Sequence, residues 1–432
     1  MGRAPSRGVP AAYRRLMRDD PRDPRDPRLP TSPGFWRSPL RGPWFTSVLG
    51  LVLLAGITVL FVTGLLSYAA YNPDLSTVND KTPDKGILGF YLFAWPTDPH
   101  WLYRLNQGVH VTLGITLIPV LLAKLWSVVP RLFALPPARS LAHALERISL
   151  LLLVGGGLFE FVTGVLNVQL DYVFPGSFYP LHFYGAWVFL AAFVAHVLLK
   201  APTALRNLRQ LREERNDLVS PRPAEPTVSR RGALWFVGGG SLLLFATTVG
   251  QNFGGPLRRT ALLAPHGGAE PGSGPNGFQI NKTAAYAGID TAETAGDVWR
   301  LVVTGRTGTV RLSRARLAGL PLHSSALPIA CVEGWSTEDQ WWRGVRLRDL
   351  AALVGYEDDP PDVFVESLQR HGAFREAALR ANQVADPRSL LALYVNGERL
   401  SPDHGYPARI IVPAAPGVLN TKWVARMTFG DL

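Results

Sequence analysis

The chain has 432 residues, 47% of them hydrophobic, with a formal net charge of +11 and a single cysteine. This length allows two or three domains, and one cysteine excludes an intrachain disulfide. The basic residues cluster in the N-terminal tail and between apolar segments, which argues against a nucleic-acid surface and indicates loops on the inner side of a membrane.

Residues 1–40 are rich in arginine and proline and contain a short Asp-Pro-Arg repeat. Proline interrupts regular structure, and the segment has little apolar surface to bury. We therefore expect a disordered cytoplasmic tail. No apolar core typical of a cleavable secretion signal is present in it.

Five apolar stretches follow, each close to the roughly 20 residues with which a helix crosses a bilayer. They are Trp44–Ala70, Leu105–Val129, Ile148–Leu170, Pro180–Leu199 and Ala233–Val249. Arginines and lysines are dense between the fourth and fifth stretches and sparse in the 71–104 segment. The positive-inside rule therefore predicts a multi-pass protein of the bacterial cytoplasmic membrane, with a cytoplasmic N-terminus and everything after the fifth helix outside.

These features divide the chain into domains. We expect an all-α four-helix membrane domain at 41–200, a basic cytoplasmic loop at 201–229, a fifth transmembrane helix at 230–252, a flexible Gly/Pro linker at 253–277 and an exported α+β domain at 278–432. In the last domain the patterns predict a hairpin, a short helix capped by Ser313 and two later strands. The hairpin strands are Val298–Val303 and Thr309–Leu312, and the later strands are Ser389–Val395 and Arg409–Val412.

Three histidines lie inside the apolar stretches, where ionisable residues are costly and usually functional. They are His110 in the second stretch and His182 and His196 in the fourth. The last two are about 21 Å apart along a helix and share one face. His110 and His182 fall at matching depth near the outer face. This predicts either a b-type haem held between two imidazoles or a structural pair of core histidines.

The histidine pattern resembles the cytochrome b subunits of formate dehydrogenases and nickel-iron hydrogenases over roughly residues 40–200. Those families have one histidine in the second helix and two, fourteen residues apart, in the fourth. They place a further histidine at the start of the first helix, where this chain has Arg41-Gly42-Pro43-Trp44. The resemblance therefore implies one haem b, and a second only if His196 finds another partner such as His143.

The one cysteine, Cys331, lies in the run Ile-Ala-Cys-Val-Glu-Gly-Trp-Ser, and Trp-Trp-Arg-Gly-Val-Arg-Leu follows at 341–347. A lone cysteine is usually a small buried hydrophobe, whereas a thiolate is a ligand for transition metals. The motif resembles the molybdenum-binding segment of the sulfite oxidase superfamily, most closely that of the molybdopterin subunit of periplasmic protein-methionine-sulfoxide reductases. The resemblance covers about residues 278–428. It implies that Cys331 is catalytic and gives its thiolate to molybdenum.

The same resemblance implies seven further residues that bind the molybdopterin cofactor. They are Asn281, Ser367, His404, Arg409, Asn420, Thr421 and Lys422. A pterin phosphate favours a fixed guanidinium, an ammonium and the backbone N–H groups of a glycine turn, here near Gly417. The chain departs from the family by one extra residue between Cys331 and Gly344. It also lacks the Gly-Asn pair that follows the cysteine in sulfite oxidases proper.

The Ser229-Arg230-Arg231-Gly232 run directly precedes the fifth apolar stretch. The positive-inside rule alone would explain two arginines at this position, but the run also resembles a twin-arginine export signal. In the families that the chain resembles, molybdenum cofactor is inserted in the cytoplasm, so the folded domain has to cross the membrane. Both explanations of the arginines stay open.

Together these features predict a membrane-anchored molybdenum oxidoreductase that exchanges an oxygen atom with its substrate and passes electrons through haem b to or from a quinone pool or another membrane carrier. The resemblance implies reduction of a small-molecule or protein sulfoxide. One alternative is a dehydrogenase of sulfite or a related oxyanion. The other is a cytochrome module with a non-catalytic binding domain.

Overall fold

The computed structural model describes residues 35–36, 38, 40–76, 82, 93–133, 140–169, 177–209, 228–264 and 276–431, apart from the side chains of residues 131, 142, 143 and 146. The expected disordered tail therefore lies outside the described residues, except for its last few positions. Residues 210–227 of the expected basic loop and the His143 side chain lie outside them as well.

Five long helices form at the five predicted apolar stretches. They are α1 Pro43–Tyr71, α2 Leu102–Val128, α3 Leu141–Gln169, α4 Tyr179–Arg209 and α5 Arg230–Ala246. Within the described residues, five helices are long and apolar enough to cross a membrane. A helix hydrogen-bonds its own backbone N–H and C=O groups. A single segment that crosses the hydrocarbon core of a membrane has to do so, because no water is available there. The predicted helical N-terminal region is confirmed.

The chain divides into two compact units. The first comprises Met1–Gly56, Leu117–Glu160 and Gly185–Ser241, and the second comprises Ile57–Thr116, Phe161–Tyr184 and Leu242–Leu432. In the first unit, Lys124 donates to the Thr46 carbonyl oxygen at 2.7 Å. The second unit contains all of the strands that the structure describes.

Ten strands form in the described part of the C-terminal domain. They are β1 Arg300–Gly305, β2 Gly308–Ser313, β3 His323–Leu327, β4 Gln340–Arg346, β5 Val363–Ser367, β6 Glu376–Leu379, β7 Leu390–Val395, β8 Glu398–Arg399, β9 Arg409–Ile411 and β10 Val424–Phe429. One sheet has the order β2-β1-β10-β5-β6, and the other has β3-β4-β7 with β8 and β9 both paired to β7. Alternate residues such as Leu301 and Val303 are fully buried, as expected for strands with one face on a core.

The local predictions for this domain are confirmed. Strands β1 and β2 pair as an antiparallel hairpin, with Arg300 opposite Ser313. The Ser313 hydroxyl accepts a hydrogen bond from the backbone N–H of Arg316 at 3.1 Å and so caps the short helix α6, Arg314–Ala318. Strands β7 and β9 lie where the later strands were predicted.

Residues 253–264 differ from the flexible spacer expected at 253–277. Gly255–Thr260 form a 3-10 helix, and Arg258 within it is 6% exposed and donates to the Ser336 carbonyl oxygen at 2.8 Å. Residues 265–275 are outside the described part of the chain. The glycine and proline content did not predict this packed portion, because Arg258, which holds it in place, is hydrogen-bonded to a residue 78 positions away.

Candidate functional site

Cys331 lies in a tight loop between β3 and β4. Its backbone N–H donates to the Trp335 carbonyl at 2.9 Å, and the Gly334 N–H donates to the Cys331 carbonyl at 3.1 Å. Gly334 has a φ of +92°, a left-handed conformation that favours glycine. The Glu333 carboxylate accepts the Trp335 indole N–H at 2.8 Å and lies 3.6 Å from the Cys331 sulfur. These bonds hold the buried thiol in one orientation.

The cationic side of the candidate site is built from residues that are distant in sequence. Arg409 donates from Nη1 to the His404 carbonyl at 3.1 Å and from Nη2 to the Asn420 carbonyl at 3.2 Å. Lys422 Nζ donates to the Asn281 side-chain oxygen at 3.4 Å. Five of the predicted cofactor-binding residues are therefore close together.

Ser367 and Thr421 adjoin the same cluster. The Ser367 hydroxyl donates to the Lys422 carbonyl at 2.7 Å and accepts the Gln369 N–H at 3.1 Å, so it holds the backbone that carries Lys422. Thr421 is buried, and its carbonyl accepts the Ile410 N–H at 2.9 Å. All of the predicted cofactor-binding residues are connected through these bonds and the adjacent backbone.

Two aromatic residues that the sequence interpretation did not assign link this cluster to the cysteine loop. Phe278 stacks on His404, with ring centroids 3.8 Å apart, and it belongs to the same buried cluster as Cys331. The Arg409 guanidinium carbon lies 5.1 Å from the centroid of the Trp342 ring. Aromatic faces of this kind hold a guanidinium in a fixed plane. Trp342 belongs to the 341–347 run quoted above, but its contact with Arg409, like that of Phe278 with His404, joins residues far apart in sequence and was not predicted.

Four buried polar atoms in the cluster have no hydrogen-bond partner among the described residues. They are His404 Nε2, Arg409 Nε, Asn420 Nδ2 and Thr421 Oγ1. Buried polar groups are nearly always paired, and each unpaired one costs about 1–3 kcal/mol. Guanidinium, amide, imidazole and hydroxyl groups are suitable partners for a phosphate and for the polar edge of a pterin. The set therefore fits a molybdopterin, and Cys331 would be the residue whose thiolate could bind its metal.

Burial shifts the bases of this cluster toward their neutral forms. Burial, with Arg409 and Lys422 nearby, lowers the pKa of His404 to about 3, and burial lowers the pKa of Arg409 to about 9. Burial, followed by the charge of Arg409, holds the pKa of Lys422 well below its usual value. A phosphate among them would raise all three pKa values, because a nearby opposite charge favours the cationic form.

We expect the cofactor-free chain to become less stable as the pH falls from 6.5 toward 3. In that window the unfolded chain protonates His404 and the folded chain does not, because its pKa drops from 6.5 to about 3 on folding. Acid therefore favours unfolding, on the order of a few kcal/mol in total. Thermal unfolding between pH 7 and pH 4 measures this slope. His404→Gln should reduce the slope and the exposed control His371→Gln should not, and equal slopes in both variants would contradict the assignment.

A second candidate site lies where α2 and α4 meet in the second unit. The rings of His110 and His182 have centroids 6.3 Å apart and planes at 90°. A metal bonded at about 2 Å to one nitrogen of each ring would place the centroids roughly 6 Å apart. His110 Nδ1 lies 3.1 Å from the Leu60 carbonyl oxygen. A carbonyl only accepts, so Nδ1 carries the proton and Nε2 has the lone pair that a metal requires.

His196 lies on α4, fourteen residues after His182, and belongs to the first unit. Its suggested partner His143 has a side chain outside the described part of the structure. The second haem therefore stays a prediction. The ring spacing of His110 and His182 fits two ligands of one metal ion.

The loop that contains Cys331 packs against α2. The Gln107 side-chain amide donates to the Val332 carbonyl oxygen. A Cβ on Gly334 would lie 2.5 Å from the Cβ of Val111, so these residues are in close contact. Gln107 and Val111 are four positions apart and share a helix face, and His110 directly precedes Val111. The cysteine loop and the histidine-bearing helix are thus in direct contact within one unit.

Comparison with known proteins bears on the C-terminal domain. Residues 288–431 match the family model described as an oxidoreductase molybdopterin binding domain. An uncharacterized oxidoreductase, YuiH, of Bacillus subtilis (strain 168) is 31% identical over 132 residues, which are 30% of this chain and 65% of that protein. These findings support a molybdenum-dependent oxidoreductase.

Two other relatives match over a smaller share of their own length. The mitochondrial sulfite oxidase of Rattus norvegicus is 28% identical over 158 residues, which are 31% of this chain and 29% of that protein. The NAD(P)H nitrate reductase of Hordeum vulgare is 38% identical over 94 residues, 20% of this chain and 10% of that protein. The chain thus spans less than two thirds of each of these relatives. The family match at residues 288–431 lies within the C-terminal domain and supports a molybdopterin-binding domain there.

Proposed function

We propose that the chain is a molybdopterin-dependent oxidoreductase of a bacterial cytoplasmic membrane that reduces a sulfoxide, free or in a protein, with electrons taken through haem b from a quinone pool or another membrane carrier. The observation that carries this proposal is the contact between the cysteine loop and α2. The Gln107–Val332 hydrogen bond and the Val111–Gly334 contact join the candidate metal ligand to the helix that bears His110.

The residues of the chain have separate tasks in this scheme. When bound, the molybdopterin supplies a metal that exchanges an oxygen atom with substrate, and the haem supplies single electrons. Cys331 provides one thiolate ligand in a fixed direction, while Arg409 and Lys422 balance the charge of the cofactor phosphate. Each turnover breaks one S–O bond, consumes two electrons and two protons, and releases a thioether and water. Electrons passing from the haem to the molybdenum centre would cross from α2 to the cysteine loop, which the Gln107–Val332 hydrogen bond joins.

The surfaces of the long helices support a place in the membrane. On α5, Trp235 and Phe236 are 82% and 84% exposed. Large exposed apolar side chains are typical of a lipid-facing or partner-facing surface. The distribution of arginine and lysine supports a cytoplasmic N-terminus and an extracytoplasmic molybdopterin domain. In this orientation Arg230 and Arg231 are at the cytoplasmic start of α5, where a twin-arginine signal would direct export of the folded domain.

A second candidate function is the oxidation of sulfite, with electrons passed inward to the membrane carrier. The sulfite oxidases among the relatives favour it. The sequence after the cysteine, Val332-Glu333, differs from the Gly-Asn pair expected of sulfite oxidases proper and favours the sulfoxide reaction.

Mixing experiments on the full chain in detergent or nanodiscs separate these functions. We expect methionine sulfoxide to reoxidise the prereduced haem of the wild type and not that of Cys331→Ala. Reduction of the oxidised haem by sulfite would instead establish the dehydrogenase. No response to methionine sulfoxide, free or in an oxidised protein, and none to sulfite, with molybdenum and haem both present, would contradict both functions.

A further inference from the structure

Helices α1 and α3 contain nearly the same six residues. Residues 61–66 read Phe-Val-Thr-Gly-Leu-Leu, and residues 161–166, 100 positions later, read Phe-Val-Thr-Gly-Val-Leu. Most of these residues are apolar, and a repeat of apolar residues alone is expected in long hydrophobic helices. The Thr-Gly pair is the feature that distinguishes the repeat, and the structure places each copy against one of the two facing histidines.

The threonine of each copy contacts the ring of its histidine. Thr63 Oγ1 lies 3.0 Å from His110 Nδ1, and Thr163 Oγ1 lies 3.0 Å from His182 Nδ1. Thr63 Oγ1 also lies 2.8 Å from the Val59 carbonyl oxygen, to which its hydroxyl donates. The hydroxyl oxygen then accepts a hydrogen bond from His110 Nδ1–H. The nearby Leu60 carbonyl, which can only accept, requires the same protonated Nδ1. Each copy therefore turns Nδ1 toward a helix and leaves Nε2 for the other side of the ring.

The glycine of each copy lies against the same edge of its ring. A Cβ on Gly64 would lie 3.3 Å from His110 Cε1, and a Cβ on Gly164 would lie 3.3 Å from His182 Cε1. A contact of this length is tighter than ordinary van der Waals packing, so a larger residue would push the ring away. The matching distances show that the two half-sites have the same construction.

We propose that Thr63 and Thr163 are the positioning residues of a twofold-repeated ligand site, in which each hydroxyl fixes the tautomer and rotation of one haem-binding imidazole and each glycine admits the ring. The inference rests on the proposed binding of haem by His110 and His182. Partners of this kind raise the basicity of a ligating imidazole, and their removal costs about 10–100-fold in metal affinity.

Substitution of the threonines in the full-length protein tests the inference. Thr63→Val and Thr163→Val keep the side-chain shape and remove the hydroxyl. Each should weaken haem retention by about 10–100-fold and raise the midpoint potential of the remaining haem, because a less basic imidazole stabilises the ferric state less. The low-spin electron paramagnetic resonance spectrum should change as the rings lose their fixed rotation. The equivalent threonine contacts predict changes in the same direction at the two positions.

Matched variants separate positioning from folding. Thr63→Ser and Thr163→Ser retain the hydroxyl and should stay close to the wild type in affinity, potential and spectrum. Thr58→Val removes an exposed threonine on the same helix and should change none of them. Valine variants with wild-type affinity and potential would overturn the inference while leaving haem binding intact. A wild-type protein that binds no haem would instead overturn the proposed function.

Discussion

Replacement of Cys331 by serine should abolish oxygen-atom transfer and leave the haem spectrum unchanged. Serine has nearly the same size but provides a hard, weakly acidic oxygen in place of a soft thiolate, so the ligand field of a bound molybdenum changes. Loss of a residue in direct contact with the reacting centre lowers turnover by roughly 10³-fold or more. Steady-state reduction of methionine sulfoxide, with molybdenum and haem content measured on the same sample, checks this result.

The exposed Ser324 on β3 offers a control close to Cys331 in sequence. Ser324→Ala should retain activity, molybdenum and haem. A Cys331→Ser protein with undiminished turnover and full molybdenum content would show that the thiol is a structural residue. Loss of both cofactors together would indicate that the substitution unfolds the domain, and Cys331→Ala, which places no hydroxyl in this buried position, would then decide the matter.

Replacement of His110 or His182 by alanine should remove the haem and preserve the molybdenum centre. The two rings lie with their centroids 6.3 Å apart, and in the proposed site each would give one nitrogen to the iron, which a single imidazole cannot hold from both sides. We expect near-complete loss of the haem absorbance. Substrate reduction driven by a membrane quinol analogue should disappear with it.

An artificial dye that reduces the molybdenum centre directly should still support turnover in these histidine variants. His371→Ala, at an exposed position in the molybdopterin-binding domain, is the matched control and should keep both activities. Full haem absorbance in His110→Ala would show that the facing pair is a core feature. Loss of dye-driven turnover would show that the histidines stabilise the fold of the chain.

Much of the helical region could be predicted because its elements depend on local composition. The long apolar runs in α1–α5 predict helices, because the helix is the structure in which a single segment hydrogen-bonds its own backbone groups without water. The hairpin of β1 and β2 and the Ser313 cap were also predictable, because hydrogen bonds between residues close in the chain determine them. The facing positions of His110 and His182 followed from helix geometry and membrane depth.

Contacts between distant residues could not be predicted in the same way. Arg258 binds the backbone of Ser336, and this bond turns part of an apparent spacer into a packed segment. Phe278 stacks on His404 because the domain folds its first and last parts together. The Thr-Gly repeat was visible in the sequence, but its meaning depends on which histidine each copy meets. That pairing required the packed arrangement of helices.

The dependence of the haem reoxidation rate on protein concentration tests the central claim most directly. Protein in which the haem and the molybdenum centre are both prereduced is mixed rapidly with excess methionine sulfoxide. The sulfoxide takes two electrons from the molybdenum centre, and the haem should then be reoxidised at a rate that does not change when the protein is diluted, because the cysteine loop and α2 are in contact within one chain. The same rate should vanish in Cys331→Ser. A rate that falls in proportion to protein concentration, or that survives in Cys331→Ser, would contradict an electron route from the haem to the molybdenum centre inside this chain.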